Sequence, residues 1–152
     1  MTFPTIISAG TTINVAAGQA RDWFLSLQDH PERYRFATHE GIEFVHGSFG
    51  QVGARFKTRE RFYCLKLELL FELSEVGTDL FCFRLIDPAS LHVWGAFRVQ
   101  SVEAESIFLR LEIRSSSRWG QFWLGLYPVA AAIRRQIMQE VAHIKASVEG
   151  VG

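Results

Sequence analysis

Apolar and polar residues alternate with a period of two along most of residues 42–114, and the period becomes helical only on either side of that stretch. Residues 5–14, rich in Thr and Ile, predict a first strand. Over residues 16–28, Ala20, Phe24 and Leu27 recur at helical spacing, and the pattern stops at Asp29-His30-Pro31. Pro31 suits a first helical position and predicts a second short helical turn over residues 31–34. Strands are then expected at 42–46, 54–62, 65–73, 80–86, 91–99 and 107–114. Gly47, Gly50 and Gly53 mark one bend, Gly77-Thr78-Asp79 a turn, and Asp87-Pro88 a strand end. Residues 54–62 alternate most sharply, with Arg55, Lys57, Arg59 and Arg61 against Phe56, Thr58, Glu60 and Phe62. Ser115-Ser116-Ser117 breaks the pattern, and an aromatic segment over 119–127 leads into a long helix over 128–149. On that helix Ile133, Ile137, Val141, Ile144 and Val148 fall within about 80° of one another, with Arg135, Lys145 and Glu149 away from the stripe.

Alternation of this kind gives strands one packed face and one wet face, the habit of antiparallel sheets. A curved antiparallel sheet with one long helix across its concave side encloses a space, so the pattern points to a pocket. The fold class expected is α+β: about seven strands wrapped around a long C-terminal helix, with two short helices after the first strand. The length of 152 residues fits one domain, 1–152, able to bury roughly 70% of its unfolded surface without staples. Apolar residues make up 48%, including 13 Phe, which suits a greasy interior. Sixteen basic and sixteen acidic residues cancel, so no overall field draws nucleic acid to it. Cys64 and Cys82 form no metal or redox spacing and are expected to be reduced. Residues 1–10 lack the basic-then-apolar order of a signal peptide, and no apolar run reaches the roughly 18 residues of a membrane span. A cytoplasmic location is therefore expected. The oligomeric state is left open, a homodimer being compatible.

The residues carry a resemblance. Ile13-Asn14-Val15-Ala16-Ala17 runs into Trp23-Phe24, and Pro31-Glu32-Arg33-Tyr34 follows Asp29-His30. The bend Gly50-x-x-Gly53 and the terminal helix from Gln136 to Glu149 complete it. Over nearly its whole length the chain resembles the helix-grip fold of the START-like (SRPBCC) superfamily, which includes polyketide cyclases/dehydrases, lipid-transfer domains, the major birch pollen allergen and ubiquinone-binding proteins. It departs from them in lacking the Trp that often follows the Tyr, Phe36 being the nearest aromatic. The resemblance implies an internal apolar cavity and no universal catalytic set, and it places Tyr34 near the pocket mouth. Fold alone does not assign activity.

Glu60 is the sharpest anomaly. A regular strand puts it on the inner face with Phe56, Thr58 and Phe62, where a desolvated carboxyl acts as an acid/base or anchors a polar group. The bland alternative, favoured here because unpaired buried carboxylates are costly, is a bulge that turns it to water or a pairing with a nearby arginine. Gln136, Glu140 and His143 form a polar stripe beside the helix seam. Glu140-x-x-His143 has di-iron spacing, but the chain has no second such motif, so a solvated pair is expected and no metal. His46 is in phase with Ile42 and Phe44 and can face inward, His92 alternates with Leu91 and Val93, and His39 is expected in a loop. No triad assembles around them. The Gly47-Gly50-Gly53 series lacks a Gly-Lys-Ser/Thr ending and a following helix, so it is a strand bend and not a phosphate loop. The aromatic segment 119–127 reads either as packing at the helix start or as a gate or contact surface for a membrane or partner.

The function expected is binding or carriage of a small hydrophobic or aromatic ligand, such as a lipid, quinone or polyketide, without a cofactor. The lining expected is Tyr34, Phe56, Thr58, Glu60, Phe62, Leu67, Leu69, Phe71, Phe97, Leu109, Leu111, Ile133, Ile137 and Val141. The alternatives are a cyclase/dehydrase-like enzyme with Glu60 as its acid/base group, ranked below the carrier, and an interaction protein using segment 119–127. A carrier should show an almost wholly apolar cavity. An enzyme should show at least two polar groups converging in it. An interaction protein should show a filled core and an exposed aromatic patch.

Overall fold

The structure is a computed structural model. It describes residues 6–36, 39–62 and 64–150, with Phe62 described by its main chain only. Seven strands form one antiparallel sheet: β1 (Ile6–Ile13), β2 (His39–His46), β3 (Arg55–Phe62), β4 (Leu65–Val76), β5 (Leu80–Asp87), β6 (Val93–Glu103) and β7 (Ser106–Ser115). Their order across the sheet is β1-β7-β6-β5-β4-β3-β2. Consecutive strands are hairpin neighbours except at one step, from β1 at one edge to β2 at the other. The helical excursion spans that step: α1 (Ala17–Leu25), then 3-10 turns at Ser26–Gln28 and Pro31–Tyr34. Helices α2 (Arg118–Gly125) and α3 (Tyr127–Val148) close the chain.

The sheet curves because its ladders are irregular at several points. Register shifts occur at Phe44/His46, Leu70/Phe71, Leu73/Glu75 and Ser101/Glu103, and each extra residue bends its strand and increases twist. Gly47, Gly50 and Gly53 have φ of 68°, 99° and 91°, so the β2–β3 connection uses conformations that L side chains rarely adopt. The Phe44/His46 shift also corrects one expectation: His46 is exposed, because a bulge reverses the phase that would have turned it inward. His92 likewise lies outside the strand. It is exposed, has φ of 47°, and ends a 3-10 turn just before β6.

Phenylalanines from α1 and the inner sheet face build the core. Phe24 contacts Phe81 and Phe97 at ring-centroid distances of 5.3 and 5.0 Å, and Phe71 contacts Phe56 and Phe83 at 5.5 and 5.3 Å. Such pairs add to the burial of the rings themselves. The last turns of α3 are pinned across β1 and α1. Lys145 Nζ donates to the Thr12 carbonyl at 2.6 Å, Asn14 N–H to Glu149 Oε1 at 2.9 Å, and Trp23 Nε1 to Ser147 Oγ at 2.8 Å.

The aromatic segment is a helix of its own. Ser117 Oγ caps α2 by accepting from Gly120 N at 2.9 Å, and an extended Leu126 separates α2 from α3, which has Pro128 in its first turn. Only Gly120 and Leu124 of α2 are buried. Trp119, Phe122 and Tyr127 are 55%, 56% and 84% exposed, so packing against the core does not account for the segment. Gly120 permits a close approach: a Cβ there would strike the Leu91 carbonyl oxygen and Ser115 Oγ. Gly120→Ala is expected to lower stability by about 1–3 kcal/mol through displacement of α2, read as a drop in thermal midpoint. An unchanged midpoint would show that α2 is not seated as described.

Candidate functional site

Between the concave sheet face, α2 and the first half of α3 lies a cavity of about 440 Å³. The sheet supplies its walls through alternation, since every second residue of β3 and β4 points the same way. Phe56, Thr58 and Glu60 come from β3, Leu67, Leu69 and Phe71 from β4, Phe97 from β6 and Leu111 from β7. Ile133 and Ile137 come from α3, and Tyr34 from the second 3-10 turn. Leu65, Leu67 and Trp123 line the cavity while remaining 61%, 37% and 39% exposed, which places the mouth between the β3–β4 hairpin and α2.

Three expected lining residues differ. The Phe62 side chain lies outside the described residues. Leu109 is fully buried but sits in solid core, where α3 lies against β1 and β7. Val141 faces β1 beside Gly10 and Thr11, because the apolar stripe of α3 is wider than the cavity and its later turns pack on the sheet edge.

Among the described residues, the walls are apolar except for Tyr34, His39, Thr58, Glu60, Gln136 and Glu140. These converge. The Tyr34 hydroxyl donates to Glu140 Oε1, and Gln136 hydrogen-bonds the Glu60 carboxyl. His39 Nε2 is 3.6 Å from Glu60 Oε1, and the Tyr34 and His39 rings meet edge to face at 4.8 Å between centroids. Thr58 precedes Glu60 on the same strand face. Thr58 Oγ1 is buried with no hydrogen-bond partner among the described residues, and an unsatisfied buried polar atom of this kind calls for an explanation. No Lys or Arg side chain lines the cavity among the described residues.

Burial dominates the electrostatics. It raises the Glu60 carboxyl to about 8, helped by neighbouring Glu140 and partly opposed by the Gln136 hydrogen bond. It raises Glu140 to about 7 against the favourable Tyr34 hydrogen bond. Burial, then Glu140, holds the Tyr34 phenol well above its ordinary value. Burial also lowers His39 to about 4, opposed by the Tyr34 main chain and assisted by His143. At neutral pH His39 is therefore uncharged and Glu60 largely protonated, so their contact is not an ion pair, and 3.6 Å is too long for a good hydrogen bond.

This geometry corrects several expectations. Glu60 does not turn to water and has no arginine partner among the described residues; its side chain is 11% exposed and faces the cavity. The supposed solvated stripe on α3 divides. Gln136 and Glu140 are buried on the cavity wall, whereas His143 bonds the Arg33 carbonyl at 2.6 Å and stacks on Phe36. His39 is the first residue of β2, paired with Glu60 in register and 1% exposed, not a loop residue. Glu140 could have been found in the sequence: it lies only about 20° from Ile133 on a helical wheel, effectively within the apolar stripe. Nothing in the sequence around His39 marks it.

No protein-family model matches the chain, and no curated protein matches it in sequence. Solved structures do. The NMR structure of KanY shares 12% identity over 98% of this chain and 100% of its own, with a TM-score of 0.78. The Zhui aromatase/cyclase from Streptomyces sp. R1128 shares 12% identity over 97% of this chain and 94% of its own, with a TM-score of 0.74. A point mutant of norcoclaurine synthase from Thalictrum flavum, bound to a transition-state analogue, shares 13% identity over 97% and 96%, with a TM-score of 0.67. At such identities the likeness concerns the fold alone, a curved antiparallel sheet closed by a long C-terminal helix, the helix-grip arrangement.

Proposed function

We propose that the chain takes a small, mainly aromatic or polycyclic ligand into the cavity and holds its polar end against Glu60, Glu140 and Tyr34. The single observation that carries this reading is an apolar cavity of about 440 Å³ with its polar groups gathered in one cluster. That is the usual build of a small-molecule site: apolar area for affinity, a few convergent polar groups for orientation. Cys64 and Cys82 are unpaired, which supports a reducing, cytoplasmic setting. Native mass spectrometry of protein purified from its source should show a retained small molecule, and an uncharged fluorescent probe such as N-phenylnaphthylamine should bind saturably. The absence of both a retained molecule and saturable probe binding would sink the reading.

A second reading is favoured by one specific observation. Two carboxyls near neutral, at about 8 and about 7, meet a phenol and an imidazole, so the cluster can both give and take a proton at neutral pH. The criterion for an enzyme, at least two polar groups converging in the cavity, is met. The Zhui protein is an aromatase/cyclase, and a proton-directed cyclisation or dehydration is the matching chemistry here. Glu60 would be the acid/base group, with Tyr34 and Glu140 positioning the substrate's oxygen. Glu60→Gln should then cut turnover of the retained molecule's precursor at least about 100-fold while the ligand still binds. Equal turnover by the variant would remove Glu60 from that role.

A further inference from the structure

Resting on the ligand-binding reading above, we infer that the cavity selects hydrophobic amines: its polar cluster is built to receive a protonated nitrogen and to turn away carboxylates. Among the described residues, no cationic side chain reaches the cavity. A ligand carboxylate would enter an apolar space with no counter-charge and would face two acidic groups, a costly desolvation. An ammonium meets the opposite situation. It carries three donors and no acceptor, and the cluster offers it the carboxyl oxygens of Glu60 and Glu140 and the unpartnered Thr58 Oγ1.

The other groups facing the cluster fit the same assignment. Tyr34, from the 3-10 turn, already donates to Glu140 and so fixes that carboxyl. Gln136 of α3 holds Glu60 in the same way. His39 of β2 is neutral at working pH and adds no repelling charge. His143 is turned back to the Arg33 carbonyl. Leu67 and Leu69 of β4 bring no charge. Phe56, Phe71 and Phe97 surround the remaining space with aromatic rings, whose faces attract cations.

Without a ligand, Glu60 stays largely protonated at neutral pH and Glu140 is about half protonated. An arriving ammonium ionises one of them, so binding releases a proton to solvent and tightens as the pH rises from about 6 to about 8.

The test uses three ligands with one apolar body: phenylbutylamine, phenylbutanol and phenylbutyrate, each titrated against bound N-phenylnaphthylamine on the intact chain. The amine should bind at least about tenfold tighter than the alcohol at pH 8, and the carboxylate should not compete. Calorimetry in two buffers of different ionisation enthalpy should register proton release for the amine alone. Glu60→Gln should remove the amine's advantage over the alcohol, and an unchanged circular dichroism spectrum with a thermal midpoint at pH 6 near the parent's separates lost charge recognition from misfolding. Glu140→Gln serves as the second variant. An amine no tighter than the alcohol, a competing carboxylate, or none of the three competing while the probe binds overturns the inference and leaves the ligand-binding reading standing. Failure of the probe itself to bind overturns both.

Discussion

Raising the pH from about 5 to about 9 should destabilise the unliganded chain by on the order of 4 kcal/mol through Glu60 alone, since one unit of pKa displacement corresponds to about 1.4 kcal/mol. The sign follows from where the proton sits. The folded state holds a proton on Glu60 up to about pH 8 and on Glu140 up to about 7, whereas the unfolded chain releases both near 4.5. Between those limits the native state binds more protons, so stability is fully present below 4.5 and is lost as pH rises through 7 and 8. His39 acts in the opposite sense. Its folded value of about 4 lies below the ordinary 6.5, so its contribution is lost as pH falls from 6.5 towards 4. For a chain of this size the Glu60 contribution corresponds to roughly 10 °C in thermal midpoint. Glu60→Gln keeps the shape and a partner for Gln136 but carries no titrating proton. Its midpoint should fall less steeply and exceed that of the parent at pH 9. Circular dichroism melts across this range decide the matter. A parent midpoint flat between pH 6 and 9, or equal slopes in parent and variant, would mean that Glu60 is solvated and that the cavity is not the dry site described.

The strands were legible because alternation is a property of neighbouring residues, and β3 shows it in every position from Arg55 to Arg61. The inward phase of Glu60 followed from the same rule. What hid its environment was chain separation. Its partners stand on elements far away in sequence: His39 at the start of β2, Gln136 and Glu140 on α3. No local pattern announces that a buried carboxyl will be met by a second buried carboxyl 80 residues later. His46 failed for the converse reason, since a bulge between Phe44 and His46 depends on pairing with β3 and leaves no trace in composition. The α2 helix was obscured by its own aromatics. Trp119, Phe122 and Trp123 contact one another at 5.4–6.0 Å outside the core, one pair stacked and two edge to face, so helical spacing there does not carry the usual amphipathic signature of burial.

Filling the cavity should weaken binding without weakening the fold. Ala132 lies on the wall, on the α3 face that also carries Val129, Ile133 and Gln136. Ala132→Phe would extend a ring into the space, where it competes with ligand atoms for volume. Because each atom of a drug-sized ligand contributes about 0.3 kcal/mol, exclusion of five or so should weaken binding at least about tenfold. Stability should stay level or rise, since the ring gains apolar contacts. Leu109→Ala supplies the contrast: it deletes a side chain in solid core, away from the wall, and should cost about 2–5 kcal/mol while leaving the binding of the folded fraction intact. The dissociation tests whether the space exists for an occupant. A dry void of about 440 Å³ would cost on the order of 10 kcal/mol at ~24 cal/mol per Å³, comparable with the whole stability of a domain. A chain with 13 Phe has ample bulk to close such a void and leaves it open at the mouth between Leu65, Leu67 and Trp123. If Ala132→Phe binds the probe as the parent does, the probe lies elsewhere and the cavity loses its claim to be the site.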